Sequence, residues 1–210
     1  MALSHVWDST MTLRTRVIIF DLGKVIVNFD HFMICKKMAL YCPLTAREIY
    51  REIFNSGLEA QFDEGILTPR SFFAHIKRNV HFTGSIIEFK KIWNHIFTLN
   101  PGISQLITRL KRNYRILCLS NTNKWHFEYC LKTFPVLHNF DDFILSYKIK
   151  KRKPDPAIFK EALAKAKCSA QECVYIDDIQ EYVLAAEALG MRAIHFKSVS
   201  QLKKYLISSA

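Results

Sequence analysis

The chain lacks several features that would assign it to a class at once. No apolar run approaches the ~20 residues of a membrane span. The amino-terminal stretch MALSHVWDSTMTLRTR has no continuous apolar centre of the kind a secretory signal carries. Residues 1–15 are therefore expected to be a loose leader, an organelle-targeting segment being the alternative. The six cysteines, at 35, 42, 118, 130, 168 and 173, contain no C-x-x-C pair and no Cys/His cluster at zinc spacing. Cys118 and Cys173 fall inside apolar runs, where a thiol behaves as a small hydrophobe, so reduced thiols and a cytoplasmic location are expected. Internal repeats and low-complexity tracts are absent. Acidic residues are scarce too, 19 against 30 Lys and Arg, giving a formal charge of +11. The densest basic cluster, KIKKRK at 148–153, is read as a solvated loop, so nucleic acid is not the expected partner. Attraction of small anionic substrates is the milder consequence of the charge.

What is present is enough apolar sequence, 50%, to bury a core. Short apolar runs alternate with helical patterns: VIIFD at 17–21, RILCLS at 115–120, DFILS at 142–146, CVYIDD at 173–178 and RAIHF at 192–196. They predict five buried strands in a Rossmann-like α/β fold, a mostly parallel sheet covered on both faces. Asn100-Pro101 reads as the cap of a helix with Ile103, Leu106, Ile107 and Leu110 on one face. Asp155-Pro156 opens another, and Ser169 with Glu172 has capping-box spacing ahead of CVYI. Residues 31–99 hold no convincing strand. Thr45 with Glu48, Ser85 with Glu88, Thr68-Pro69, and the stripe Ile86, Phe89, Trp93, Ile96 predict a module of about four helices there. It is inserted after the first strand and a hairpin-like extension, KVIVNFD.

In an open parallel sheet, ligands bind beyond the carboxyl ends of the strands. Asp21 follows VIIF, Ser120 and Asn121 close the ILCL run, and Asp177 and Asp178 follow VYI. Adjacent strands lie ~4.8 Å apart, so groups at their tips can converge on one small ligand. Clustered carboxylates favour a bound cation, and oxygen-only ligands suit Mg²⁺ better than zinc. An aspartate beside such a metal can attack phosphorus and form an aspartyl-phosphate.

The order FDLGKVIV, LSNTN at 119–123, KPDPAIF at 153–159 and YIDDIQEYVLAAEALGM at 175–191 resembles the motifs of the haloacid dehalogenase-like (HAD) hydrolase superfamily. FDEGILTPRSF at 62–72 and WNHIFTLNPGISQLITRLKR at 93–112 are similar to the branch that contains bacterial glucose-1-phosphate phosphatases. The resemblance implies a core of residues 1–30 and 100–210 with a helical cap of 31–99. It implies Asp21 as nucleophile, and Asp21, the Gly23 carbonyl, Asp177 and Asp178 around Mg²⁺. Ser120, Asn121 and Lys153 would bind the phosphoryl group of a small phosphorylated metabolite, for which a sugar phosphate is the candidate, with residues near Phe62 to Ile66 supplying specificity.

Two positions depart from the pattern. Relatives commonly place a proton-donating aspartate where this chain has Gly23, and an asparagine where it has Tyr182. General acid–base help is worth about 10²–10⁴-fold. Three outcomes follow: a preference for good leaving groups, replacement of the acid by Asp30, His31, Glu64 or His75, or a binding relative of low turnover. Haloacid dehalogenation is disfavoured by the acidic pair Asp177-Asp178.

Overall fold

The computed structural model describes residues 15–207, so the expected leader falls almost wholly outside the described residues. Five strands form one parallel sheet: β1 (Val17–Phe20), β4 (Arg115–Ser120), β5 (Asp142–Leu145), β6 (Cys173–Asp177) and β7 (Arg192–His195), in the order β5-β4-β1-β6-β7. Successive side chains on a strand point to opposite faces. Ile18, Phe20, Ile116, Cys118, Val174 and Ile176 join one apolar core, while Val17, Ile19, Leu117, Leu119, Cys173 and Tyr175 join another. That double burial is why the strands read as unbroken apolar runs instead of alternating ones.

The first core is closed by α6 (Ile103–Leu110) and α7 (Lys124–Thr133), the second by α9 (Pro156–Ala166) and α10 (Gln180–Glu187). A last helix, α11 (Val199–Ile207), packs on α6, and the short α8 (Ser146–Ile149) follows β5. Strand β1 lies between β4 and β6, so the chain fills one side of the sheet before crossing to the other. The crevice of a doubly wound sheet opens at that reversal, beyond the carboxyl ends of these three strands.

Between β1 and α6 stand α1 (His31–Met38), α2 (Ala46–Tyr50), α3 (Leu58–Asp63), α4 (Pro69–Asn79) and α5 (Ile86–Asn94), with a π-helical segment, Arg51–Asn55, continuing α2. The block thus carries five α-helices where about four were expected. Thr45 with Glu48, and Ser85 with Glu88, form complete capping boxes, and Thr68 caps α4 with Pro69 in its first turn. Its core is aromatic: Phe62 stacks on Phe72 at 4.3 Å, and Phe89, Trp93 and, from α7, Trp125 pack around them.

The extension after β1 differs from expectation. It does not fold back as a hairpin. Its strand β2 (Val27–Asn28) pairs antiparallel with β3 (Thr98–Leu99), from the far end of the helical block. Asn100 is consequently not the cap of α6, a place taken by Gly102 at φ 79°. Its amide instead donates to Lys24 O at 2.6 Å and Val25 O at 2.9 Å, and accepts from Asn28 at 2.7 Å. These bonds tie together the two chain crossings between sheet and helices. The six cysteines carry no disulfide, and no described helix is long and apolar enough to cross a membrane.

Candidate active site

Asp21 leaves the tip of β1, where its N–H donates to Ile176 O at 2.9 Å. Its Oδ1 accepts from Lys153 Nζ at 2.8 Å, and the same ammonium donates to Asp177 Oδ2 at 2.7 Å. Asp21, Lys153 and Asp177 are 7%, 4% and 0% exposed, so water contributes little to balancing their charges. Asp177 also accepts from Tyr175 OH and, through Oδ1, from Ile179 N at 2.9 Å. Asp178 is half-buried beside them, and ligand oxygens of Asp21, Asp177 and Asp178 lie within 4.8 Å of one another.

Three carboxylates face one ammonium. Burial pushes the Asp21 carboxyl up to about 7 despite Lys153, with Asp177 and Asp178 adding repulsion. Asp178 is raised as well, by burial and then by Asp177. Burial alone would lower the Lys153 ammonium, but Asp21 and Asp177 outweigh it and the group is held protonated. This excess of negative charge, presented by oxygen donors alone, fits Mg²⁺. The Gly23 carbonyl, a further expected donor, accepts from Val25 N at 2.6 Å within a tight turn and keeps a second lone pair.

The loop carrying Lys153 is fixed by Asn121, whose Oδ1 accepts from Lys153 N at 2.8 Å and whose Nδ2 donates to Lys153 O at 3.1 Å. Ser120 is buried at the tip of β4 and Tyr182 lines the crevice, its ring centroid 5.0 Å from Lys153 Nζ. All seven residues singled out from the sequence therefore lie around the tips of β1, β4 and β6.

A cavity of about 380 Å³ adjoins them, lined by Asp21, Gly23, Lys153 and Asp178 from the sheet side. Phe29, His31, Glu59, Asp63, Arg152 and Tyr182 enclose the rest. A smaller lobe of about 60 Å³ reaches Ser120, Thr122, Phe97 and His126. Of the four candidates to replace a missing acid, only His31 lines this space. Asp30 caps α1 by accepting from Phe32 N at 2.8 Å, His75 lies 2.8 Å from Arg78, and Glu64 ends α3. Within Phe62 to Ile66, Asp63 alone faces the cavity, while Phe62 is buried in the aromatic core and Ile66 is exposed.

Arg152 and Lys150 depart from the solvated-loop reading given to Lys148, Lys150, Lys151 and Arg152. The Arg152 Nε is buried without a hydrogen-bond partner, and Lys150 donates to Gly65 O. Glu59 went unnoticed in the sequence, and Asp63 was covered only as part of the stretch Phe62 to Ile66. A carboxylate pair one turn apart, beside the apolar Leu58 and Phe62, was the available signal.

Gly23 is explained by close approach. An added Cβ would stand 2.9 Å from the Phe29 ring, which stacks on His31 at 4.8 Å. The aromatic ring fills the space that a side chain at 23 would need.

Residues 18–196 match the haloacid dehalogenase-like hydrolase family, and the chain belongs to it. It is 26% identical to a sesquiterpene phosphatase of Aspergillus oryzae over 88% of this chain and 91% of that protein. It is 25% identical to a drimenol cyclase of Aspergillus calidoustus, over 91% of this chain but only 36% of that relative's length. A HAD family enzyme of Bacteroides thetaiotaomicron, crystallised with magnesium and inorganic phosphate, superposes with a TM-score of 0.79 at 26% identity, covering 88% and 96% of the two chains.

Proposed function

We propose that the protein is a Mg²⁺-dependent phosphatase that hydrolyses a small phosphorylated metabolite through an aspartyl-phosphate on Asp21. The observation that carries this reading is the convergence of Asp21, Lys153, Asp177 and Asp178 at the topological switch point. Asp21 Oδ1 is held by Lys153, and Oδ2 points toward residue 23, 3.9 Å from where a Cβ would stand there. That oxygen is the attacking atom. Lys153 neutralises charge on the nucleophile and on the phosphoryl group, Ser120 and nearby amides supply donors, and Asn121 orients Lys153. Mg²⁺, held by Asp21, the Gly23 carbonyl and Asp178 with support from Asp177, would polarise the phosphoryl oxygens. Residues 31–99 act as the cap, excluding water and lining the leaving-group side of the cavity.

The cavity favours an ester of a largely apolar alcohol. Phe29, the neutral His31 ring, Ile179 and Tyr182 form the apolar part of its walls, beside the charged Lys24, Glu59, Asp63 and Arg152, with Phe97 in the adjoining lobe. Burial and the nearby Lys24 hold His31 down to about 4. Similarity to a sesquiterpene phosphatase supports the same choice over a sugar phosphate. Phosphate release from isoprenoid and sugar monophosphates, with and without Mg²⁺, tests it: the isoprenoid esters should lead by at least tenfold in kcat/KM. The absence of a side chain at Gly23 favours a second reading, a phosphate-binding relative without turnover, and its signature is Mg²⁺-dependent phosphate binding with no hydrolysis of any ester.

A further inference from the structure

Expelling an aliphatic alkoxide from phosphorus requires a proton at the leaving oxygen, and Gly23 has none to give. We propose that Glu59, at the start of α3, is the general acid of this site, held over the cavity by Asp63 and His31. The inference rests on the phosphatase reading.

Phosphoryl transfer proceeds by in-line displacement. Such a reaction needs the attacking and departing oxygens on opposite sides of phosphorus. Asp21 enters the cavity from the sheet and Glu59 from the helical block, and both line the same space. Phe29, seated against Gly23, closes off the position beside the nucleophile and leaves the helical block to supply the donor. Glu59 is 16% exposed at its side chain, which leaves a path to a bound ester.

The groups facing Glu59 keep a proton on it. Asp63, one turn along α3, faces it with a like charge that favours its protonated form. His31 Nε2 from α1 stands 3.9 Å away, and its ring is clamped between Phe29 and Phe54 at centroid distances of 4.8 and 4.5 Å. Phe54 reaches that stack from the π-helical segment Arg51–Asn55, a bulge of the kind that often re-aims side chains at functional sites. His31 stays neutral and so does not draw the proton away. Arg152, from the loop after α8, opposes by favouring the ionised form. Burial and Asp63 prevail and hold the Glu59 carboxyl up, while Asn123 Nδ2 at 2.9 Å favours the Asp63 carboxylate. The buried pair therefore retains a proton that Glu59, lining the cavity, can deliver.

The steps balance. As Asp21 Oδ2 bonds to phosphorus, the bond from phosphorus to the ester oxygen breaks with its electron pair on that oxygen, which takes the Glu59 proton and leaves as the alcohol. Ionised Glu59 then accepts a proton from water while the resulting hydroxide attacks phosphorus. The bond to Asp21 breaks with its pair returned to the carboxylate, phosphate departs, and Glu59 is protonated again.

The test is a series of phosphate monoesters running from nitrophenyl to primary alkyl leaving groups, with wild type, Glu59→Gln and Glu59→Asp compared across pH 5 to 9. The expected result is a Glu59→Gln loss of about 10²–10⁴-fold in kcat on alkyl esters that shrinks as the leaving group improves, with disappearance of the alkaline limb of the kcat profile. Glu59→Asp should restore the limb and part of the rate. An equal loss on every ester, or an alkaline limb that survives in Glu59→Gln, overturns the assignment while leaving the phosphatase intact. A wild type that turns over no ester, even nitrophenyl phosphate with Mg²⁺, overturns the phosphatase reading and this inference with it.

Discussion

Replacing Lys153 by methionine isolates the electrostatics on which the site depends. Methionine keeps the length of the side chain and removes the ammonium, leaving Asp21 and Asp177 without the group that bridges them at 2.8 and 2.7 Å. Breaking a buried ion pair by deleting one partner costs about 3–5 kcal/mol, since the abandoned carboxylates stay out of water. In a chain of this size each kcal/mol corresponds to roughly 2–4 °C, so the melting temperature in EDTA should fall by about 6–20 °C. Mg²⁺ at 100 times its Kd returns about 2.7 kcal/mol. The shift it produces should be larger in the variant than in wild type, because the crevice has become more negative. Thermal melts of both proteins in EDTA and in a Mg²⁺ series measure these quantities. A variant that melts within 2 °C of wild type in EDTA, or gains no more from Mg²⁺, would refute the claim that Lys153 is the internal counter-ion of this cluster.

Three other outcomes are expected. Gly23→Asp should lower the melting temperature, because its Cβ meets the Phe29 ring at 2.9 Å, and the same change made in a Phe29→Ala background should cost less. Asn123→Ala removes the cap of α7 and strands Asp63 and His126, which its amide joins at 2.9 and 3.1 Å; urea unfolding should show a loss of about 2–4 kcal/mol. Glu59 binds a proton more tightly folded, up to about 8, than unfolded, near 4.5, so the folded state holds the extra proton between those values and stability falls as pH rises through that window. In Glu59→Gln melts from pH 5 to 8, that decline should flatten relative to wild type.

The sheet was legible because its strands are buried on both faces. VIIF, ILCL and VYI therefore appear as unbroken apolar runs, and the polar residue that ends each one marks a strand tip. Helix starts were legible where a side chain bonds within three residues, as at Thr45, Thr68 and Ser85. Features made by distant partners were not. Strands β2 and β3 hold two residues each, too few for periodicity, and Asn100 has cap chemistry but spends it on Lys24 and Val25 across 75 residues of chain. The same holds for the cavity walls: Glu59 offers only its spacing from Asp63, and nothing local distinguishes Arg152 from a solvated charge until α3 is packed beside α8. That packing relies on Gly65, whose φ of 69° and lack of a Cβ let it lie against the Tyr147 carbonyl.

The central claim is that Asp21 is a phosphoryl acceptor, and the most direct measurement is inorganic phosphate release from nitrophenyl phosphate and isoprenoid monophosphates by wild type and Asp21→Asn, each with Mg²⁺ and with EDTA. Turnover should require Mg²⁺ and vanish in Asp21→Asn while the variant remains folded. Hydrolysis that survives either EDTA or Asp21→Asn would contradict that claim.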